Sequence, residues 1–138
     1  MSFYNDSKAT NVDATLKALD SFATPLWVIL GGKDKGSDYT VLADLLRRHA
    51  RQVLLIGAAA DKIAKQLEDV VPMEHAGTLE RAVRAAFERA QAGDVVLLAP
   101  ACASFDQFQN YEHRGRVFKQ VVRELEQESA ANGAARAS

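Results

Sequence analysis

Three short polar segments of this chain carry residues that could bind an anion. Residues 5–11 read NDSKATN, residues 31–38 read GGKDKGSD and residues 100–104 read PACAS. Lysine and hydroxyl groups donate hydrogen bonds to carboxylates and phosphates, and glycines let the backbone turn tightly. Each segment directly follows a short apolar run. If those runs are neighbouring strands of one sheet, the three segments form one site for an anionic ligand.

The apolar runs predict the strands that must position these segments. Continuous apolar runs bounded by glycine, proline or charged residues are typical of strands that are buried on both faces of a sheet. The predicted strands are residues 26–30, 53–56 and 95–99, with a weaker strand at 71–75 and a short edge strand at 3–4.

Apolar residues at helical spacing fill the intervals between the strands. They are Val12, Leu16 and Leu19; Val41, Leu42, Leu45 and Leu46; Ile63 and Leu67; Leu79, Val83, Ala86, Phe87 and Ala90; and Phe118, Val121, Val122 and Leu125. Each interval also contains a helix-start signal. The predicted caps are Thr10 or Asn11, then Asp38, Asp61 and Thr78, and a capping box from Ser104 to Gln107 for the last helix.

This alternation of strands and helices predicts an α/β fold with a single doubly wound, mostly parallel sheet and helices on both faces, a Rossmann-like arrangement. Ligands of such sheets bind outside the carboxyl ends of the strands, which is where the three polar segments fall. We expect one domain over residues 1–128, followed by a flexible tail over residues 129–138.

Composition excludes several classes of function. The 138 residues carry a net charge of −1 with both signs interspersed, which argues against nucleic acid or an anionic membrane as the main partner. The single cysteine and the absence of a secretory signal or long apolar run predict a cytoplasmic domain. Because each predicted element has an apolar face within one complete set of strands and helices, we expect a monomer. His49, His75 and His113 are isolated, so we expect no metal site.

Each polar segment also has a simpler explanation. The segment at 31–38 is not a P-loop, because Gly36 is followed directly by Ser37 without the required lysine. It is either a solvated turn or a loop that aims Lys35 at an anion. Ser104 could be only a helix cap, worth about 1 kcal/mol, or could also help a helix terminus to hold a carboxylate. Residues 5–11 could be only a helix start, and Cys102 is predicted to be a small buried residue.

The three segments, in this order and spacing, resemble the C-terminal domain of the Mur ligases, and specifically the branch that adds D-glutamate. The resemblance implies that Thr10, Lys35, Ser104, Phe105 and Tyr111 contact D-glutamate. It also implies that Asp6 reaches the ribose of ATP and that Lys8 lies near the nucleotide phosphates. Family members carry leucine and phenylalanine at the positions of Phe105 and Tyr111.

The resemblance further implies an ATP-dependent ligase of bacterial peptidoglycan synthesis, which joins D-glutamate to UDP-N-acetylmuramoyl-L-alanine through an acyl phosphate. The P-loop, the Mg²⁺ ligands and the uridine nucleotide site would belong to central and N-terminal domains. This domain would deliver D-glutamate, close over ATP as a lid, contain no catalytic residue, bind no cofactor by itself and be inactive alone. The alternative is a stand-alone binding module for a small dicarboxylate or nucleotide.

Overall fold

A computed structural model describes the backbone of residues 1–137 and the side chains of residues 1–131. Its centre is a five-stranded sheet of order β1-β5-β2-β3-β4, in which all neighbouring strands are parallel. The strands are β1 (Ser2–Asn5), β2 (Leu26–Gly31), β3 (Ala50–Ile56), β4 (Met73–Gly77) and β5 (Val95–Leu98). The predicted parallel sheet is therefore confirmed, with β1 at one edge.

Helices cover both faces of the sheet. They are α1 (Val12–Asp20), α2 (Ala43–His49), α3 (Ala60–Gln66), α4 (Leu79–Arg89) and α5 (Tyr111–Ala137), and a 3₁₀ turn (Tyr39–Leu42) leads into α2. On one face, Val28 and Leu30 pack with Leu19 and Ile63 of α1 and α3. On the other face, Trp27 and Ile29 pack with side chains of α4 and α5. Alternate residues of β2 thus supply two cores, which is why this strand has no polar position.

The helix starts confirm three of the predicted caps. The side chains of Asn11, Asp38 and Thr78 accept hydrogen bonds from the backbone N–H groups of Ala14, Thr40 and Arg81. The other two predictions were wrong. Helix α3 follows Ala59, which makes no side-chain cap, and Asp61 lies in its first turn. The capping box at Ser104 is absent because α5 begins only at Tyr111.

Smaller differences concern element ends. Strand β4 begins at Met73 rather than at residue 71, since Pro72 has no N–H to donate to the sheet. Val41 does not share the buried face of its neighbours and is 47% exposed, because the chain there forms the 3₁₀ turn. Helix α5 runs past residue 129, but Ser138 and the side chains from 132 onward lie outside the described residues, so the flexible tail stays a prediction. Every helix in the described chain is too short or too polar to cross a bilayer.

Candidate functional site

Three loops meet at the carboxyl edge of the sheet and enclose one cavity of about 280 Å³, here called the loop cavity. The loops are residues 6–11 after β1, residues 32–38 after β2 and residues 99–110 after β5. The cavity is lined by Thr10, Lys35, Ala103, Ser104, Phe105, Asn110, Tyr111 and Glu112. All five residues that the resemblance assigned to D-glutamate therefore line the same cavity. Their ligand is not shown by this geometry and stays a prediction.

Two glycines set the path of the second loop. Gly31 and Gly32 have φ angles of +131° and +139°, which side-chain-bearing residues rarely adopt. A Cβ on Gly31 would collide with the carbonyl oxygen of Ile56, and one on Gly32 would collide with that of Ala103. The close approach lets the N–H of Lys33 donate to the Ala103 oxygen at 2.8 Å. The glycines thus allow the second loop to contact the third.

Asp34 fixes the remainder of the second loop. Its carboxylate lies 2.8 Å from the Lys62 ammonium and accepts hydrogen bonds from the Tyr39 hydroxyl at 2.8 Å and the Ser37 N–H at 3.3 Å. The Lys62 contact, followed by the hydrogen bonds, lowers the pKa of Asp34 to about 2 despite an opposing desolvation effect. Asp34 is thus occupied by contacts within the protein, whereas its neighbour Lys35 lines the loop cavity.

The third loop is a turn rather than the first turn of a helix. The backbone oxygen of Ser104 accepts hydrogen bonds from the N–H groups of Gln107 and Phe108 at 3.2 and 2.9 Å. Helix α5 begins later, where the side chain of Asn110 accepts from the N–H of His113 at 2.7 Å. The cap of this helix was predicted at Ser104, six positions before the observed cap, Asn110. Ser104 is 2% exposed and lines the cavity without lying at a helix terminus.

Arg114 connects the first and third loops and was missed by the sequence analysis. Its guanidinium is buried and donates to the Ser7 hydroxyl at 2.8 Å, the Ser7 carbonyl at 2.6 Å and the Cys102 carbonyl at 3.0 Å. The Ser7 hydroxyl donates in turn to the Tyr111 carbonyl at 2.7 Å. Burial lowers the pKa of Arg114 to about 10. A signal was present: Arg114 lies four residues before Phe118, on the apolar stripe of α5.

Two more residues near the third loop behave as structural parts. Cys102 is buried, as predicted, with its sulfur 3.1 Å from the Tyr39 hydroxyl, and burial raises the pKa of its thiol. His113 is partly buried, with its ring at 5.3 Å from that of Phe108, while its neighbour Glu112 is exposed.

The two residues assigned to the nucleotide lie outside the loop cavity. Asp6 and Lys8 line a larger cavity of about 460 Å³, here called the outer cavity, together with Asn11 and Lys17. Thr10 follows in the same loop but lines the loop cavity. The side chains of the first loop therefore line different cavities. Within the described residues, no group of three or more His, Cys, Asp or Glu side chains is placed to hold a metal ion.

The chain is similar to known proteins over most of its length. The family described as "Mur ligase, glutamate ligase domain" matches residues 1–102. A UDP-N-acetylmuramoylalanine--D-glutamate ligase of Solibacter usitatus is 67% identical over 124 residues, which is 90% of this chain and 28% of that protein. Ligases of the same name from Koribacter versatilis and Acidobacterium capsulatum are 64% and 57% identical, over 89% and 88% of this chain. The chain thus spans less than a third of the relatives it matches.

Proposed function

The chain belongs to the Mur ligase family, as its glutamate ligase domain, and from this premise we propose that it binds D-glutamate for an ATP-dependent ligase of peptidoglycan synthesis. In the full-length ligase the amine of D-glutamate would be joined to UDP-N-acetylmuramoyl-L-alanine. The similar proteins are named UDP-N-acetylmuramoylalanine--D-glutamate ligase, and this name supports the proposal. The loop cavity carries it, since it gathers the five residues that the resemblance assigned to D-glutamate.

The loop cavity suits an amino acid with carboxylate groups. Lys35 supplies a positive charge, and the hydroxyls of Thr10 and Ser104 can donate hydrogen bonds to carboxylate oxygens. Phe105 is 64% exposed at the same cavity and can shield a bound ligand from water. Neither Lys35 nor Phe105 is needed to complete the apolar core. Their placement is therefore better explained by a ligand than by folding.

The contribution of this chain to the reaction would be positioning. ATP supplies the activation of the acceptor carboxylate. The residues of the loop cavity would fix the carboxylates of D-glutamate so that its amine meets the activated group in one orientation, which lowers the entropic part of the barrier. Closure of the domain over the nucleotide would exclude water.

The described residues fit ATP only in part. The Asp6 carboxylate can accept hydrogen bonds from ribose hydroxyls, and Lys8 beside it can face a phosphate in the outer cavity. No described group is placed as a set of Mg²⁺ ligands. We therefore propose that the metal and the phosphate cradle belong to the other domains of the ligase, and that this chain alone neither hydrolyses ATP nor forms an amide bond.

The test is D-glutamate titration of the full-length ligase that contains this chain. We expect Lys35→Ala to weaken apparent D-glutamate affinity by roughly 10–100-fold, because a charge-assisted hydrogen bond contributes about 1.5–3 kcal/mol. Lys33→Ala is the matched control: it removes an equal charge from the same loop, but Lys33 does not line the cavity. Equal D-glutamate affinity of Lys35→Ala and wild type would remove Lys35 from the site and put the other assignments in doubt.

A stand-alone module for a small dicarboxylate or nucleotide remains the second candidate. It is favoured by one observation: this chain brings Thr10, Lys35 and Ser104 to a single cavity. The isolated chain separates the two candidates. We expect it to bind D-glutamate with a dissociation constant of roughly millimolar or weaker, since single-domain contacts leave much of a small ligand unburied. Micromolar binding of a dicarboxylate by the isolated chain would favour the second candidate.

A further inference from the structure

A third cavity on the same side of the molecule is lined by unusually many cations. This cationic cavity, of about 310 Å³, lies between the first loop and the beginning of α5. It is lined by Asn5, Ser7, Lys8, Tyr111, Glu112, Gly115, Arg116 and Lys119. Lys8 was assigned to the nucleotide by resemblance, but Arg116 and Lys119 take no part in the functions proposed above.

The charges of this cavity are not balanced by the protein. Its lining contains three cationic side chains and one carboxylate, Glu112. The neighbouring Glu112 carboxylate raises the pKa of the Tyr111 phenol and offsets only one of the three positive charges. Among the ion pairs of the described residues, none involves Lys8, Arg116 or Lys119.

Two of the cations lie on the same face of α5. Arg116 and Lys119 are three residues apart, where like charges repel, and Glu112, four residues before Arg116, offsets this repulsion only in part. Lys8 adds a third positive charge from another part of the chain. Some surface cations elsewhere, such as Arg84, Arg89 and Lys62, lie close to carboxylates, whereas others are in no ion pair of the described residues. Three cations that share a concave site and lack such partners are instead typical of an anion-binding site.

Hydrogen bonds hold residues at the floor of the cationic cavity. Asn5 accepts a hydrogen bond from the Ser7 N–H at 3.0 Å, and Ser7 is fixed by buried Arg114. A Cβ on Gly115 would lie 2.9 Å from the Asn5 amide nitrogen, so glycine lets α5 approach the first loop closely. The floor is therefore held by buried polar contacts. The planar guanidinium of Arg116 and the flexible ammonium groups of the lysines suit tetrahedral phosphate oxygens.

We propose that the cationic cavity binds a phosphate-bearing small molecule through Lys8, Arg116 and Lys119. Its volume is at the lower end of the range for small-molecule sites and accommodates a phosphate or diphosphate with part of an attached group. The site adjoins the loop cavity through their shared residues Tyr111 and Glu112. The proposal does not depend on D-glutamate binding, because Lys35 is not part of the cationic cavity.

The test is a titration of the chain with inorganic pyrophosphate at low salt, monitored by backbone amide NMR. We expect shifts confined to residues 5–8 and 111–119. The double variant Arg116→Gln/Lys119→Gln should bind at least about tenfold more weakly, because two charge-assisted contacts are lost. The control Lys65→Gln/Arg123→Gln makes the same change in net charge outside the cavity and should bind like wild type.

Two further titrations identify the source of the phosphate. Tighter binding of ADP than of pyrophosphate, with additional shifts at Asp6 and Asn11, would assign the site to a nucleotide that also occupies the outer cavity. Equal binding would assign it to the diphosphate group alone. Equal weakening in both double variants, or shifts spread over the whole surface, would overturn the proposal. The Lys35→Ala variant should keep its affinity for pyrophosphate, which separates this test from that of D-glutamate binding.

Discussion

The two ends of the sheet contain cavities of similar volume but use their charged side chains differently. The loop cavity at the carboxyl end measures about 280 Å³, and a cavity at the amino end, lined in part by Pro25, Arg48 and Arg51, measures about 260 Å³. At the amino end, Arg51 lies 3.3 Å from buried Asp94. At the carboxyl end, Lys35 takes part in none of the ion pairs of the described residues.

The supporting residues differ in the same way. Asp94 accepts hydrogen bonds from the indole N–H of Trp27 and the N–H of Gln91, so its partners connect β5 to β2 within the fold. Arg114 at the other end binds carbonyl groups of two loops and does not itself line the loop cavity. The comparison teaches that the Arg51–Asp94 pair at the amino end connects parts of the fold, whereas buried Arg114 at the carboxyl end positions two of the loops that form the loop cavity.

The largest expected effect comes from replacing Arg114. Arg114→Met should lower the free energy of unfolding by about 3 kcal/mol, because the carbonyls of Ser7 and Cys102 would lose buried charge-assisted donors. Urea denaturation of the chain measures this. Arg116→Met, two residues further along α5, is exposed and should change stability by less than about 0.5 kcal/mol. Similar stabilities of the two variants would mean that Arg114 does not fix the loops.

Asp94 provides the corresponding change at the amino end. Asp94→Ala should cost about 2 kcal/mol, because the Trp27 indole and the Gln91 N–H lose their acceptor. In contrast to Arg114→Met, the Asp94→Ala variant of the full-length ligase should bind D-glutamate with unchanged affinity wherever it is folded. Loss of affinity on replacing Asp94 would show that the two ends of the sheet are coupled and that the comparison is too simple.

The fold could be predicted from the sequence to a greater extent than the details of the site. The continuous apolar runs at 26–30 and 53–56 predicted their strands because a doubly buried strand has no polar position. The grouping of the loops followed from the general rule that parallel strands end at one edge. Thr10, Lys35 and Ser104 were singled out by resemblance, and the structure brings them to one cavity, while their ligand remains untested.

What could not be predicted depends on contacts between distant parts of the chain. Arg114 is buried because its acceptors include Ser7, 107 positions away, and no local pattern indicates that pairing. The start of α5 was misplaced since Ser104 and Asn110 are equally good caps by residue type. Only the tertiary position of residues 104–110, with the Gln107 side chain bonded to the Gly77 oxygen, excludes the earlier start.

The next prediction concerns pH and Asp34 of the second loop. Its pKa is about 2 in the folded chain, below the ordinary value of 3.8, so its contacts stabilise the fold above pH 4 and are lost as pH falls toward 2. Because the carboxylate is 29% exposed, we expect only about 1 kcal/mol of this dependence. Urea denaturation between pH 5 and pH 2.5, in wild type and Asp34→Asn, measures it. A variant with the same pH dependence as wild type would assign the effect to other carboxylates.

The smallest expected effect compares one cation from each cavity. Arg51→Met should lower the free energy of unfolding by about 0.5–1 kcal/mol, a modest value because Arg51 is half exposed and Asp94 keeps its other two donors. Lys35→Met should change it by less than about 0.5 kcal/mol, since no ion pair of the described residues is broken. Both variants lose one positive charge. The difference between their free energies of unfolding, measured by urea denaturation, therefore reports the effect of the local ion-pair partner. If Lys35→Met were the more destabilising variant, Lys35 would be part of the fold, and the strongest reason to assign it to a ligand would be lost.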